Sequence, residues 1–152
     1  MATVNSVRKQ TAKIVGTRAV ACARRIDFVV DFTKETLGAT DDLALFTLPK
    51  GTMVMAIGIE QLEPGVDATN TLVARLGTTA YSAALTANAA AGTFVAQATS
   101  TANLNTILTQ DTDVNLLSAV AARTTGKVRV FAFILEGATP QVATTVDRDT
   151  LA

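Results

Sequence analysis

The side chains that most often perform catalysis are scarce in this sequence. Its 152 residues include no histidine, no tryptophan and a single cysteine. Histidine is the commonest general base and the commonest metal ligand, so its absence removes both kinds of site at once. Cys22 lies among apolar neighbours with no histidine to activate it, and we interpret it as a small hydrophobe rather than a nucleophile. One cysteine also excludes an internal disulfide, which fits a reducing compartment. These features predict that the protein is not an enzyme.

Two groups of carboxylates could still bind a cation. Asp41-Asp42 and Asp111-Thr112-Asp113 could each offer oxygen ligands to calcium. Neither group is followed by the remaining ligands of a calcium loop, and adjacent acids at strand ends usually face water. Any two acids could also serve a glycosidase, but no aromatic-lined cleft is in prospect. Gly58 and Gly77 are isolated and form no phosphate-binding loop. We therefore expect neither a metal nor a cofactor.

The charged residues are unevenly distributed along the chain. Residues 1–25 contain six basic side chains and no acid, which leaves seven bases and thirteen acids for the remainder. Such a segment is either a solvated arm or an arm that lies on an acidic protein surface. Nucleic acid is a weaker option, because the segment has no aromatic side chain to stack on bases. The arm supplies six candidate interface residues: Arg8, Lys9, Lys13, Arg18, Arg24 and Arg25.

From Ile26 onward the pattern is one of short strands separated by turns. In residues 26–32 every second side chain, from Ile26 to Phe32, is apolar and shares one face, and Asp27 and Asp31 fall on the other, as a half-buried strand requires. An apolar run at 43–48 leads into the turn residues Pro49-Lys50-Gly51, and a second run follows at 53–60. In that second run Met53, Met55, Ile57 and Ile59 alternate with the other residues. We expect the two runs to pair with each other as antiparallel strands.

The middle of the sequence is less clearly patterned. Further strands are predicted at 71–76, 93–96 and 113–120. The stretch from Thr78 to Asn105 is rich in small and polar residues, and 83–91 is also compatible with a short helix.

The last strand, 127–135, has the strongest signal. After Arg129 both of its faces are apolar, and a strand of this kind lies in the middle of a sheet with both faces covered. One cover is the opposite sheet, and the other is a neighbouring subunit or the N-terminal arm. Phe131 and Phe133 are therefore candidate interface residues. The polar segment 137–152 is expected to trail along the surface.

Together these signals predict an all-β protein, an antiparallel β-sandwich or jelly roll of seven or eight strands. The domain is expected to span 26–136, with a basic extended N-terminal arm at 1–25 and a polar C-terminal tail at 137–152. No apolar run approaches the roughly 20 residues that cross a bilayer, so no membrane partner is expected. An apolar fraction of 49% is high for a monomer and indicates a second buried surface, either between subunits or against a larger partner.

The order of several segments resembles a known family. An apolar strand at 43–48, the turn 49–52 and a second apolar strand ending at Glu60 are followed by 71–77, an Ala-rich middle and 126–132. This pattern is similar to that of small structural proteins in the virions of tailed bacteriophages. The resemblance implies a β-sandwich that decorates or cements the outside of the capsid, often as a trimer. Its partners would be the major capsid protein and further copies of itself, with assembly in the host cytoplasm.

Residues 1–25 are not explained by that resemblance, and we hypothesise that they clamp neighbouring capsomers. Two other functions stay open. One is a neck, tail or head-fibre component of the virion. The other is a carbohydrate- or receptor-binding jelly-roll module, which would need exposed aromatic residues in its loops. The sequence places only Tyr81 in a predicted loop.

Overall fold

A computed structural model describes residues 22–96 and 106–136 of the chain, and the account below concerns these residues. They form ten strands arranged as two five-stranded antiparallel sheets, which confirms the predicted β-sandwich. The strands are β1 (Cys22–Asp31), β2 (Asp42–Leu48), β3 (Met53–Glu63), β4 (Thr71–Leu76), β5 (Thr79–Ala80), β6 (Leu85–Thr86), β7 (Phe94–Val95), β8 (Thr106–Ile107), β9 (Thr112–Ala119) and β10 (Lys127–Glu136). The strand predicted at 93–96 is β7, and the count exceeds the prediction because the two-residue strands β5, β6 and β8 were not expected.

The two sheets are built in the same way. In the first sheet β10 lies between β1 and β3, and the short strands β7 and β8 pair with the other edge of β3. In the second sheet β9 lies between β2 and β4, and the short strands β5 and β6 pair with the other edge of β4. Each sheet therefore has a long strand at one edge and two short segments at the other.

The core lies between the inner faces of the two sheets. On β10, Val128, Val130, Ala132 and Ile134 alternate towards the core and are fully buried. Side chains of the second sheet complete the same cluster, including Leu72, Ala74, Val114 and Leu116. Burying each of the larger aliphatic side chains stabilises the fold by about 1.5–3 kcal/mol relative to leaving it in water. The predicted central position of the last strand is confirmed.

The prediction that the second and third strands pair with each other is wrong. β2 pairs with β9 in one sheet, and β3 pairs with β10 in the other. The turn between them carries the chain from one sheet to the other. In this turn Gly51 has a φ of 85°, and its N–H donates to the Leu108 carbonyl at 2.7 Å. The local sequence does not distinguish these two arrangements. Two apolar strands that flank a turn can bury the same side chains as neighbours in one sheet or as members of two facing sheets.

The predicted alternation along 53–60 also fails at one point. Met55 and Ala56 lie together opposite Phe133, because the pairing of β3 with β10 shifts by one residue between Phe133 and Ile134. This β-bulge changes the phase of the strand. Met55 is therefore exposed on the outer side, whereas Ile57 and Ile59 point into the core.

Residues 83–91 do not form the short helix that their alanine content allowed. Leu85–Thr86 is a strand, and the chain then turns, with the Ala89 N–H bonded to the Thr86 carbonyl at 3.1 Å. Both backbone groups of Ala87 bond to residues outside 83–91. Its N–H donates to the Asn70 carbonyl, and its carbonyl accepts from the Gly65 N–H. These tertiary hydrogen bonds outweigh the weak helical preference of alanine.

Tyr81 is not the exposed loop aromatic that the sequence suggested. Its side chain is buried in the core, and its hydroxyl donates to the Val54 carbonyl at 3.3 Å. Burial raises the pKa of the phenol above its ordinary value. Tyr81 therefore joins the two sheets instead of offering a stacking surface.

β1 begins at Cys22, four residues before the predicted start of the domain at Ile26. Arg24 and Arg25 thus belong to a strand. The predicted arm before Cys22 and the tail after Glu136 lie outside the described residues. Within 22–96 and 106–136 there is no helix long and apolar enough to cross a membrane.

A candidate protein-binding face

One face of the first sheet points away from the core, and we call it the outer sheet face. It is built by alternate residues of β1 and β10 and by the β3 residues that lie opposite those of β10. Residues of β7 and β8 that pair with β3 extend the face. Its main side chains are Arg25, Asp27, Val29, Met53, Met55, Glu60, Phe94, Ile107, Arg129, Phe131, Phe133 and Leu135. The opposite face of the same sheet is the buried core described above.

The outer sheet face carries most of the exposed large apolar side chains of the described residues. Seven large hydrophobic side chains of the described residues are exposed, and five of them lie here: Val29, Met55, Phe94, Ile107 and Phe133. Phe94 is 67% exposed and Phe133 is 40% exposed. Single exposed hydrophobic residues are normal, whereas several on one face are typical of a surface that contacts another protein, a membrane or a ligand.

An aromatic platform lies at the centre of this face. The rings of Phe131 and Phe133 meet edge to face, with their centroids 5.8 Å apart. The Arg25 guanidinium carbon lies 5.0 Å from the first ring centroid and 5.7 Å from the second, and its Nε donates to Asp27 at 2.7 Å. Arginine and aromatic side chains held in fixed positions are typical of the residues that dominate protein interfaces.

Gly58 allows the platform to lie flat on the sheet. A Cβ at this position would be 2.5 Å from the Phe131 ring and 2.6 Å from the Val95 carbonyl oxygen. Any other residue would have to displace both. Phe131 is consequently only 8% exposed although it lies on the outer side.

The charged groups on the outer sheet face are paired with one another. Arg129 donates to Glu60 at 2.8 Å, and Lys127 donates to Glu63 at 2.7 Å with Asp31 at 3.8 Å. The hydrogen bond to Glu63 raises the pKa of Lys127 above its ordinary value. Because each cation has an acid beside it, the face presents little unbalanced charge to a partner.

The structure brings some of the predicted interface residues together and separates others. Arg25, Phe131 and Phe133 form the platform. Arg24 lies on the other side of β1 and pairs with Glu136 at 3.0 Å. The remaining predicted residues, Arg8, Lys9, Lys13 and Arg18, lie outside the described residues.

Sequence reasoning missed four apolar residues of this face. Val29 carried a usable signal, because it falls between Asp27 and Asp31 on the side of β1 that was expected to be polar. Met55 was assigned to the wrong face because of the bulge. Phe94 and Ile107 are placed here only by the pairing of two-residue strands with β3, which no local pattern indicates.

The carboxylates considered as calcium ligands lie at opposite ends of the β2–β9 pair and are used within the fold. Asp41 accepts from the Gly38 N–H at 2.7 Å, and Asp42 pairs with Arg75 at 3.0 Å. Asp111 accepts from the Lys50 N–H at 2.8 Å, and Asp113 accepts from the Thr47 hydroxyl at 2.6 Å. Within the described ranges no three histidine, cysteine or acidic side chains come together in a way that could hold a metal ion.

No protein-family profile matches the sequence, and no curated protein matches it. Solved structures do resemble it. A chain in the acidic stable capsid structure of Helicobacter pylori bacteriophage KHP30 superposes with a TM-score of 0.56 at 14% identity, over 76% of this chain and 90% of that one. A chain in the capsid of Ralstonia phage GP4 gives 0.57 at 18% identity, over 82% and 90%.

A chain in the capsid asymmetric unit of cyanophage Pam1 gives a TM-score of 0.56 at 22% identity, over 83% of this chain and 94% of that chain. All three likenesses span most of both chains, so the whole β-sandwich is shared. At the level of the fold they confirm the resemblance to phage capsid proteins that the sequence suggested.

Proposed function

We propose that this protein is a structural component of a phage virion that binds the outside of the capsid shell as a decoration, or cement, protein. The observation that carries the proposal is the outer sheet face, which exposes five large apolar side chains around a rigid aromatic platform. The likeness to chains in three phage capsids supplies the context for that surface. In this role the protein performs no catalysis and stabilises the head by adding contacts between shell subunits.

Self-association through the outer sheet face forms the working unit, a homotrimer. The near balance of charge on this face supports the assignment, because copies can approach one another without repulsion between like charges. A closed ring buries the apolar residues of each copy and leaves no free end to continue polymerisation. The remaining surface of the trimer is then available to the major capsid protein.

The basic arm has a separate role in the proposal. Arg8, Lys9, Lys13 and Arg18 would lie over acidic surface of neighbouring capsomers and increase the contact area. A protein whose arm has been removed by limited proteolysis should bind shells more weakly than the full chain. Equal binding of the trimmed and full chains would contradict this role.

The experiment that tests the function is co-sedimentation with shells of the parent phage assembled without this protein. Saturation at hundreds of copies per shell is the result expected for a cement protein. Saturation at about a dozen copies would instead indicate the neck, tail or head-fibre role. Absence of binding would overturn the proposal, and a screen of immobilised oligosaccharides would then test the carbohydrate- or receptor-binding module. The burial of Tyr81 weighs against that module.

A further inference from the structure

β1 is the outermost strand of the first sheet, and it leaves one side of its backbone without a neighbouring strand. It pairs with β10 on one side, and no strand of the described residues pairs with it on the other. The ten residues Cys22–Asp31 pair with β10 in a single register without a bulge, and they include neither proline nor glycine. This unpaired side, which we call the β1 edge, is a template for a further strand.

The other edges of the two sheets are protected against such pairing. In the first sheet the opposite edge consists of β7 and β8, and in the second sheet one edge consists of β5 and β6, each of two residues. The remaining edge strand, β2, has a bulge between Ala44 and Phe46. Short strands and bulges are common devices against pairing at a sheet edge. Of the edges formed by the described residues, the β1 edge alone has neither.

Charge on an edge strand is a further device against pairing, but the charges of β1 are compensated within the fold. Each charged residue of the strand has an oppositely charged neighbour: Arg24 pairs with Glu136 at 3.0 Å, Arg25 with Asp27 at 2.7 Å, and Asp31 with Lys127 at 3.8 Å. An added strand therefore meets little unbalanced charge. An uncharged segment fits the β1 edge better than an acidic or a basic one.

The core is incompletely covered beside this edge. Ile26, Phe28 and Val30 share the core side of β1, because they lie opposite core residues of β10. Val30 is 2% exposed, whereas Ile26 and Phe28 are only half-buried. Side chains on the same face of an added strand would contact both of them and remove further apolar surface from water. The occupant of the β1 edge is therefore a segment with apolar groups at alternate positions.

The C-terminal tail contains a segment with these properties. Residues 141–146, Gln-Val-Ala-Thr-Thr-Val, carry no charge, and four of the six are β-branched, a composition typical of strands. In an extended conformation Val142, Thr144 and Val146 lie on one side of the segment, where their methyl groups can cover half-buried side chains of β1.

We propose that residues 141–146 of one copy add to the β1 edge of a neighbouring copy as a further strand of its first sheet. The tail of the same chain is disfavoured, because Glu136 pairs with Cys22 and the tail would have to cross the chain that enters β1 there. Connections on the same edge of a sheet do not cross each other. Exchange around a ring of three copies fills every β1 edge and leaves none free.

The proposal rests on the trimer of the proposed function and names a segment that links its copies. Residues 137–140 span at most about 14 Å, so the β1 edge of the neighbour lies within that distance of Glu136. Arg25, Asp27 and Val29 belong both to β1 and to the outer sheet face. The exchanged strand therefore lies beside the surface through which the copies associate.

Thr144→Pro combined with Thr145→Pro in the full-length chain tests the added strand. Successive N–H groups of a strand point to opposite sides, so one of the two prolines removes a donor that faces β1. Amide hydrogens on the β1 edge should exchange at least about tenfold faster than in wild type, because ladder hydrogen bonds are lost. In a dilution series followed by light scattering, the dissociation constant of the trimer should rise at least about tenfold for the same reason. The control, Thr150→Pro with Leu151→Pro, places two prolines in the same tail outside the segment and should stay within about twofold of wild type in both measurements.

Equal exchange of the β1 amides in wild type and in the double variant would overturn this inference and leave the proposed function intact. Faster exchange with an unchanged trimer would also overturn it, because the segment would then pair with its own chain. Protection of the β1 amides only after the protein binds shells would assign the edge to the major capsid protein instead. A monomeric wild-type protein would overturn the inference together with the trimer, whereas failure of wild type to bind shells would overturn the proposed function itself.

Discussion

At the scale of the residue, Arg123 is the least expected side chain of the fold. It is 1% exposed, lies with its guanidinium carbon 4.7 Å from the Phe32 ring centroid, and donates through Nε to the Thr125 carbonyl at 3.2 Å. Its two Nη atoms have no hydrogen-bond partner among the described residues. Burial lowers the pKa of Arg123 to about 10. The folded state therefore binds this proton less tightly than the unfolded chain does, and the charge costs stability at neutral pH.

Arg123→Met should raise the free energy of unfolding by about 1–3 kcal/mol, since an apolar chain of similar length can lie on Phe32 without a buried charge. Urea denaturation measures the change. The advantage of the variant should shrink as the pH rises through about 10, where wild-type Arg123 begins to lose its proton in the folded state. Arg123→Ala is the control, and the cavity it leaves should lower stability. A methionine variant no more stable than the alanine variant would contradict this account.

At the scale of the element, β10 shows how one strand serves two purposes. Its even-numbered residues from Val128 to Ile134 fill the core, and its odd-numbered residues form the outer sheet face. The register with β1 runs through all ten residues without a bulge, so the two sets stay on opposite sides. Fold and binding can therefore be separated by substitutions at adjacent positions.

Ile134→Ala should cost about 2–5 kcal/mol, because it opens a cavity at a fully buried site. Phe133→Ser, one residue away, should cost only about 1 kcal/mol, mainly through the lost edge-to-face contact with Phe131. Thermal or urea unfolding of the two variants makes the comparison. A Phe133 variant as unstable as the Ile134 variant would mean that the outer sheet face is a closed core within a single chain.

At the scale of the whole molecule, the protein is a sandwich, and most of the exposed large apolar side chains of its described residues lie on one sheet. This outer sheet face combines aromatic side chains with paired charges. A protein with one apolar surface can form oligomers or bind a partner through it.

Light scattering at micromolar concentration should give the mass of three chains for the wild-type protein. The double variant Phe94→Ser with Phe133→Ser should give a smaller mass while remaining folded, because it removes two exposed aromatic side chains of the outer sheet face. Val66→Ser, which changes a more exposed apolar residue outside that face, should leave the mass unchanged. Phe131→Asp should prevent folding or assembly, since the side chain is nearly buried. A Phe131→Asp protein that assembles normally would refute its placement in the contact.

The sequence by itself determined the class of fold and the main strands. Alternation at 26–32, the two-faced run at 127–135 and the turn residues between strands are local features, and each depends on side chains a few positions apart. The absence of histidine is likewise evident from the sequence without any structure. Phe131 and Phe133 could be selected from sequence because a strand that is apolar on both faces is expected to have a cover on each face.

Only the tertiary structure decided which strands are neighbours and which side chains share a surface. β2 and β3 could have formed a hairpin, and the bulge at Met55 reversed the phase of the strand. Val29, Phe94 and Ile107 meet on one face through pairings between residues far apart in the chain. Val120 has a positive φ of 76°, and the buried Asn70 side chain donates to the Ala121 carbonyl beside it. Contacts of this kind are set by packing among distant segments, and a local sequence pattern carries no information about them.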